Sequence, residues 1–258
     1  SMHLIANKLH QNNNLKWIAD FRDPWSDLYY NKDFSQLAIA KNKNKRLEKL
    51  VLQNADCVLT VSNTLKKEFS KIAKRVEVIT NGFDDEFLTK NVLRLSNKFT
   101  ISYIGLLPKQ SNPKSLFRVL KILSLENPDF KKDLKINFIG DISDAVKIEI
   151  DIHNLTKNTE FIDYVSHQKA IEFQKISQVL LLLIPNVEKS EGILTGKLFE
   201  YLTAKRPILA IGPENGDLAE ILKNTHAGVV VDFNNEHKLK SEISKLYHHY
   251  KIGDLKVN

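Results

Sequence analysis

The chain has 258 residues, 42 % hydrophobic and 27 % charged, a balance that fits a folded domain and excludes a disordered chain. Lysine and arginine total 38 against 31 acidic residues, a formal charge of +7; the single cysteine excludes an intramolecular disulfide framework and fits a reducing cytoplasm. No stretch approaches the ~20 apolar residues of a membrane-spanning helix, and the opening Ser-Met-His-Leu has no basic-then-apolar leader pattern.

Leu4, Ile5 and Leu9 stand at helical spacing and predict a helix to about residue 12, as though the chain begins partway through a domain. A strand over 15–21, a long charged helix near 34–53, a strand over 57–61, a helix after Ser62 and a strand over 76–79 follow. Together they amount to roughly half of a doubly wound domain, assigned to residues 1–95. Cys57 follows Asp56 in an apolar run and is expected as a buried structural thiol. Asn81-Gly82 reads as a turn at a hinge, where both residue types tolerate positive φ. The polar, aperiodic stretch 84–97 reads as the linker.

From residue 99 the pattern becomes regular. Apolar, β-rich runs at 100–104, 135–139, 159–162, 179–184, 207–211 and 228–231 alternate with amphipathic stretches near 113–126, 143–155, 167–177, 196–205 and 215–224. Such alternation predicts a parallel sheet covered by helices on both faces, and the continuously apolar runs suit strands buried on both sides. Residues 96–235 form this second domain. Asn112 and Pro113 are expected to open its first helix, whose apolar stripe is Leu116, Val119, Leu120 and Leu123. A last helix begins near Glu236, with Leu239, Ile243, Leu246 and Tyr250 at helical spacing in the tail 236–258.

Several chemistries fail on residue type. No G-x-G-x-x-G occurs, so dinucleotide binding through that turn is excluded. Gly192 to Lys197 imitates a phosphate loop but has three residues between its glycines where four are needed, and Leu198 stands where Ser or Thr would hold magnesium. The histidines lack zinc-ligand spacing, and no metal is expected. The lysines are not interleaved with aromatics, which argues against nucleic acid. Solvated helix faces, with weak attraction to an anionic membrane surface, account for the charge.

The informative segment is 191–210. Thr195 and Gly196 can open a helix whose free backbone N–H groups and dipole attract an anion. Lys197 in its first turn adds a full positive charge, and Glu200 three residues on shares the same face and can accept hydrogen bonds from a ribose diol. Taken alone, Lys197 and Glu200 would be read as a surface ion pair. Residues 20–25, Asp-Phe-Arg-Asp-Pro-Trp, end a strand, where open α/β sheets place ligands. Asp20 or Arg22 would there face an acceptor or a departing phosphate; alternatively Arg22 and Asp23 pair to brace the loop, with Pro24 and Trp25 packed beneath.

The string Thr-Gly-Lys-Leu-Phe-Glu-Tyr-Leu from Thr195, followed by Arg-Pro-Ile-Leu from Arg206, resembles the donor-site helix of family 4 retaining glycosyltransferases with the GT-B fold. Segments 20–25, 55–62, 79–84, 104–109 and 213–231 extend the resemblance over nearly the whole chain. It implies two Rossmann-like doubly wound domains, the N-terminal one incomplete here. It also implies transfer of a sugar, of the hexosyl type, from a nucleoside-diphosphate sugar to the hydroxyl of a glycan or lipid-linked acceptor. Cell-surface polysaccharide synthesis in the cytoplasm, with peripheral contact with an anionic membrane and no cofactor or metal, is the family-level expectation.

By the same resemblance Glu200 binds the ribose, and Thr195, Gly196 and Lys197 hold the diphosphate. Gly105 lets its loop approach the phosphate, Tyr164 and Val165 meet the base through their backbone, and Glu191 contacts the sugar hydroxyls. Two departures stand out. The family's carboxylate pair brackets seven residues, whereas Glu191 and Glu200 bracket eight, which makes Glu188 a substitute candidate. The loop after Gly105 carries Ser111 where the family has a basic residue, so Lys109, rather than Lys114, is assigned its role. Two alternatives stay open: a sugar-nucleotide epimerase of the same fold, and a non-catalytic nucleotide-sugar-binding module.

Overall fold

Among the described residues strands and helices largely alternate, and they build two separate parallel sheets. A computed structural model describes residues 2–26, 37–83 and 94–255. It divides into two compact units, Ser1–Asn81 with Gly192–Leu194, and Gly82–Glu191 with Thr195–Asn258.

In the first unit, α1 (Met2–Asn13), β1 (Ile18–Phe21), α2 (Ala38–Asn54), β2 (Cys57–Thr60), α3 (Asn63–Phe69) and β3 (Val76–Val78) follow in order. The strands pair in parallel as β1-β2-β3. Ala19 and Phe21 of β1 and Val58 of β2 bury one face against Val51 and Leu52 of α2 and Leu65 and Phe69 of α3. Ser62 caps α3 by accepting the Leu65 N–H at 3.2 Å. Buried Glu48 of α2 braces the loop after β1, accepting the N–H groups of Trp25 at 2.7 Å and Ser26 at 3.3 Å. Cys57 departs from expectation: it is half-buried, because the strand's two-residue period turns Val58 and Thr60 inward. The start of the helix expected from 34 and most of the linker expected over 84–97 lie outside the described residues.

The second unit holds β4 (Phe99–Ile104), α4 (Lys114–Glu126), α5 (Pro128–Asp133), β5 (Leu134–Ile139), α6 (Asp144–Ile152), β6 (Thr159–Ile162), α7 (His167–Ile176) and β7 (Val179–Leu183). It continues through α8 (Gly196–Thr203), β8 (Ile208–Ile211), α9 (Asp217–Thr225) and β9 (Gly228–Val231) to α10 (Glu236–Lys251). All strand pairs are parallel, in the order β6-β5-β4-β7-β8-β9. Every residue of β4, β7 and β8 is buried, as a sheet covered on both faces requires. Helix α10 joins the core through Leu239, Ile243 and Tyr247, the last packing edge-on against Phe99 and Phe130.

One local expectation fails, and one helix was not foreseen, each for a physical reason. Asn112 does not cap α4: its Nδ2 donates to the Ala145 carbonyl at 3.1 Å, and Pro113 takes the cap position without a side-chain bond. Helix α5, absent from the sequence reading, is opened by Asn127, which accepts the Phe130 N–H at 3.0 Å, and by Pro128 in its first turn.

Candidate functional site

In the second unit the strand order reverses between β4 and β7, and open α/β sheets bind ligands at the carboxyl ends of strands at such a reversal. The chain leaves β4 through Gly105 at φ 116° and β5 through Gly140 at φ 115°. Both are conformations that only glycine adopts cheaply. A Cβ on Gly140 would stand 2.8 Å from the Gly105 carbonyl oxygen, and one on Gly105 would stand 2.7 Å from Lys197 Cε. The missing side chains thus let two turns and a lysine converge.

The lysine comes from α8. Leu198, Phe199 and Tyr201 bury the inner side of this helix, and the Tyr201 hydroxyl accepts the Ile104 N–H at 3.1 Å, tying α8 to the end of β4. Full burial raises the Tyr201 phenol far above its ordinary range, so it stays neutral. At the amino end, Thr195 occupies the cap position but its side chain makes no cap bond, and its Oγ1 is buried without a hydrogen-bond partner among the described residues. Gly196 is exposed, with open space where a side chain would project. The N–H groups of Gly196 and Lys197 therefore have neither an intrahelical acceptor nor a capping side chain, while the next, Leu198 N–H, bonds back to the Thr195 carbonyl at 3.1 Å.

Lys197 places Nζ 2.5 Å from the Tyr103 hydroxyl, 3.4 Å from the Leu106 carbonyl and 4.2 Å from the Tyr103 ring centroid. Tyr103 donates its own proton to Leu106 O at 2.7 Å, and toward the ammonium its oxygen is the acceptor. Burial lowers the Lys197 ammonium from 10.5 to about 8, and Glu200 opposes part of that shift. Glu200, one turn along, has Gln174 Nε2 at 3.2 Å and His167 Nε2 at 3.8 Å. Lys197 and Glu200 thus share a helix face and reach different partners. A cation and an array of amides stand at one end of α8, with a hydrogen-bond acceptor one turn away.

Gly105, Thr195, Gly196, Lys197 and Glu200 come together. Tyr164 is 90 % exposed and Val165 half-buried in the turn after β6, three and two residues before the His167 that meets Glu200. Lys109 is exposed in a single 3-10 turn, Lys109–Ser111. Lys114 is tied to Glu149 at 2.7 Å. Glu191 lies in the 3-10 turn Ser190–Gly192, its carbonyl close enough that a Cβ on Gly216 would stand 2.7 Å away. In the first unit, Arg22 lies 3.9 Å from Asp20 and donates to Asn81 Oδ1 at 3.2 Å, while Trp25 packs on the core. That replaces the alternative pairing with Asp23.

Tyr103, Gln174 and His167 escaped sequence reasoning. The available signals were a tyrosine in an otherwise apolar strand and a glutamine on the apolar stripe of α7 beside Ala170 and Ile171. Among the described residues no helix is long and apolar enough to cross a membrane.

Solved structures share this architecture at low identity. Sucrose-phosphate synthase from Thermosynechococcus elongatus is 14 % identical, with a TM-score of 0.70 over 98 % of this chain and 64 % of that one. WaaG, a glycosyltransferase involved in lipopolysaccharide biosynthesis, is 10 % identical, with a TM-score of 0.66 over 97 % and 73 %. A TarM mutant from S. aureus, in complex with Fondaparinux, alpha-GlcNAc-glycerol and UDP, is 12 % identical, with a TM-score of 0.68 over 94 % and 46 %. The chain spans just under two thirds of the sucrose-phosphate synthase and less than half of TarM. No curated protein sequence matches it. These likenesses carry the fold: α/β, GT-B-like, with two parallel-sheet units of which the first has three strands among its described residues. The model of the family described as Glycosyl transferases group 1 matches residues 84–253, most of the chain, and the protein belongs to that family.

Proposed function

We propose that the second unit binds a nucleoside-diphosphate sugar, and that the protein of which this unit is part transfers the sugar to an acceptor hydroxyl in the manner of family 4 retaining enzymes. One observation carries the reading: the uncapped amino end of α8, with Lys197 beside it and Glu200 one turn on, at the reversal point of the sheet.

In this reading the helix amides and the Lys197 ammonium hold the diphosphate, and Lys109 reaches it from the loop after β4. The leaving diphosphate gains negative charge as the glycosidic bond breaks. Preorganised donors aimed at that charge lower the barrier, each typically by about 3 kcal/mol. This arrangement calls for no metal. Glu200 takes the ribose diol, the turn holding Tyr164 and Val165 meets the base, and Glu191 or Glu188 meets the sugar. Asp20 and Arg22 are assigned to the acceptor side. A glycan or lipid-linked acceptor, and hence cell-surface polysaccharide synthesis at an anionic membrane on its cytoplasmic face, completes the reading. The net charge of +7 supports that membrane contact.

Calorimetric titration with UDP, GDP, ADP and CMP tests the proposal. One of them should bind to the wild type at micromolar concentration and to Glu200→Ala at least tenfold more weakly. Unchanged affinity in Glu200→Ala removes Glu200 from the site, and no binding by any nucleotide removes the donor reading.

A further inference from the structure

Glu200 is held from beneath. Gln174 of α7 is 1 % exposed, and its Nε2 donates to Glu200 Oε2 at 3.2 Å. Gln174 Oε1 is buried with no hydrogen-bond partner among the described residues. His167, seven residues earlier and therefore nearly two turns away on the same face of α7, brings Nε2 to 3.8 Å from the other carboxylate oxygen, Oε1. Burying a primary amide and leaving its carbonyl unpaired is costly, and an apolar side chain would fill the space without that cost. The orientation of the amide follows from the carboxylate: turned over, its oxygen would face Glu200 Oε2. A 3.2 Å bond at one oxygen and a looser 3.8 Å approach at the other leave the carboxylate anchored on one side and open on the other.

We infer that Gln174 is a positioning residue for recognition of the nucleoside, fixing Oε2 of Glu200 so that the carboxylate presents a set orientation to the two ribose hydroxyls. The inference rests on the reading of Glu200 as the ribose acceptor and adds what makes that acceptor selective. A carboxylate already oriented accepts both hydroxyls of a diol without first giving up its rotational freedom. A carboxylate free to rotate loses that freedom on accepting the second bond, which narrows its preference for a ribose over the 2′-deoxy form. Gln174 thus controls discrimination between ribose and deoxyribose, and leaves the grip on the diphosphate untouched.

The test compares wild type, Gln174→Met and Gln174→Asn by calorimetry. The ligands are the nucleoside diphosphate selected by the panel above, its 2′-deoxy analogue, and inorganic pyrophosphate; thermal melting reports folding. The wild type should prefer the ribonucleotide about tenfold, the scale of one lost hydrogen bond to a charged group. Both variants should bring that ratio below about threefold with pyrophosphate affinity unchanged. Should the methionine variant fail to fold, the asparagine variant, which stays polar but withdraws the amide by one methylene, decides the matter. A folded variant that keeps the wild-type ratio overturns the inference, as does one that loses pyrophosphate and nucleotide binding in parallel. A wild type that does not discriminate at all instead overturns the reading of Glu200 as the ribose acceptor.

Discussion

The depressed ammonium of Lys197 makes anion binding a proton-linked event. Free, the group titrates at about 8, because Tyr103, Leu106 and the Gly105 turn remove it from water. A bound diphosphate supplies opposite charge and returns the group toward the ordinary lysine value of 10.5. At pH 7 about 90 % of the free sites carry the proton and at pH 9 about 10 % do, so affinity should fall about tenfold over that range, about 1.4 kcal/mol. At pH 9 each binding event should take up ~0.9 proton, seen as a dependence of the calorimetric enthalpy on buffer ionisation. Lys197→Met should bind more weakly at pH 7 and show a flat profile. For stability of the free protein the sign is opposite. Between about 8 and 10.5 the unfolded chain holds the proton that the folded site has released, so wild-type stability should rise relative to Lys197→Met across that window. Wild-type affinity that is flat from pH 7 to 9, with no proton uptake, would refute the reasoning.

Four further substitutions follow from the geometry. Gly105→Ala combines a φ of 116° with a Cβ 2.7 Å from Lys197 Cε, so it should cost about 1–3 kcal/mol in a thermal melt and weaken pyrophosphate binding as the lysine is pushed aside; wild-type affinity would contradict the packing described. Lys109→Ala should lower pyrophosphate affinity severalfold, whereas Lys114→Ala, breaking a partly exposed pair with Glu149, should leave it unchanged and shift stability by about 0–1 kcal/mol; the reverse ranking would reassign the loop. Buried Arg206 donates to the carbonyls of Ser177, Gln178 and Leu255 and to Gln178 Oε1. Arg206→Met strands those acceptors and should lower the melting temperature by ~6–12 °C, for a loss of about 3 kcal/mol, with nucleotide affinity retained in the folded protein.

What the sequence made legible was whatever repeats along the chain. Continuous apolar runs such as 179–183 announced strands buried on both faces, and their alternation with amphipathic stretches announced the parallel sheet. The chemistry of α8 was readable for a related reason, since Thr195, Lys197 and Glu200 are brought together by helical geometry over six residues. What was not readable depends on side chains that meet across the fold. Asn112 has cap chemistry, but its amide serves Ala145, 33 residues away. Cys57 has the habit of a buried residue, but strand phase turns Val58 inward in its place. The groups that set the character of Lys197 and Glu200 lie 94 residues away at Tyr103 and 26 residues away at Gln174. A local reading therefore names the charges of the site and misses their settings. Those settings point one way: an ammonium kept poorly hydrated, a helix end without its cap, and a buried threonine hydroxyl and glutamine carbonyl left unpaired all raise the energy of the free protein. An anion at the end of α8 would relieve the first two together, which is why binding and proton uptake should appear as one event.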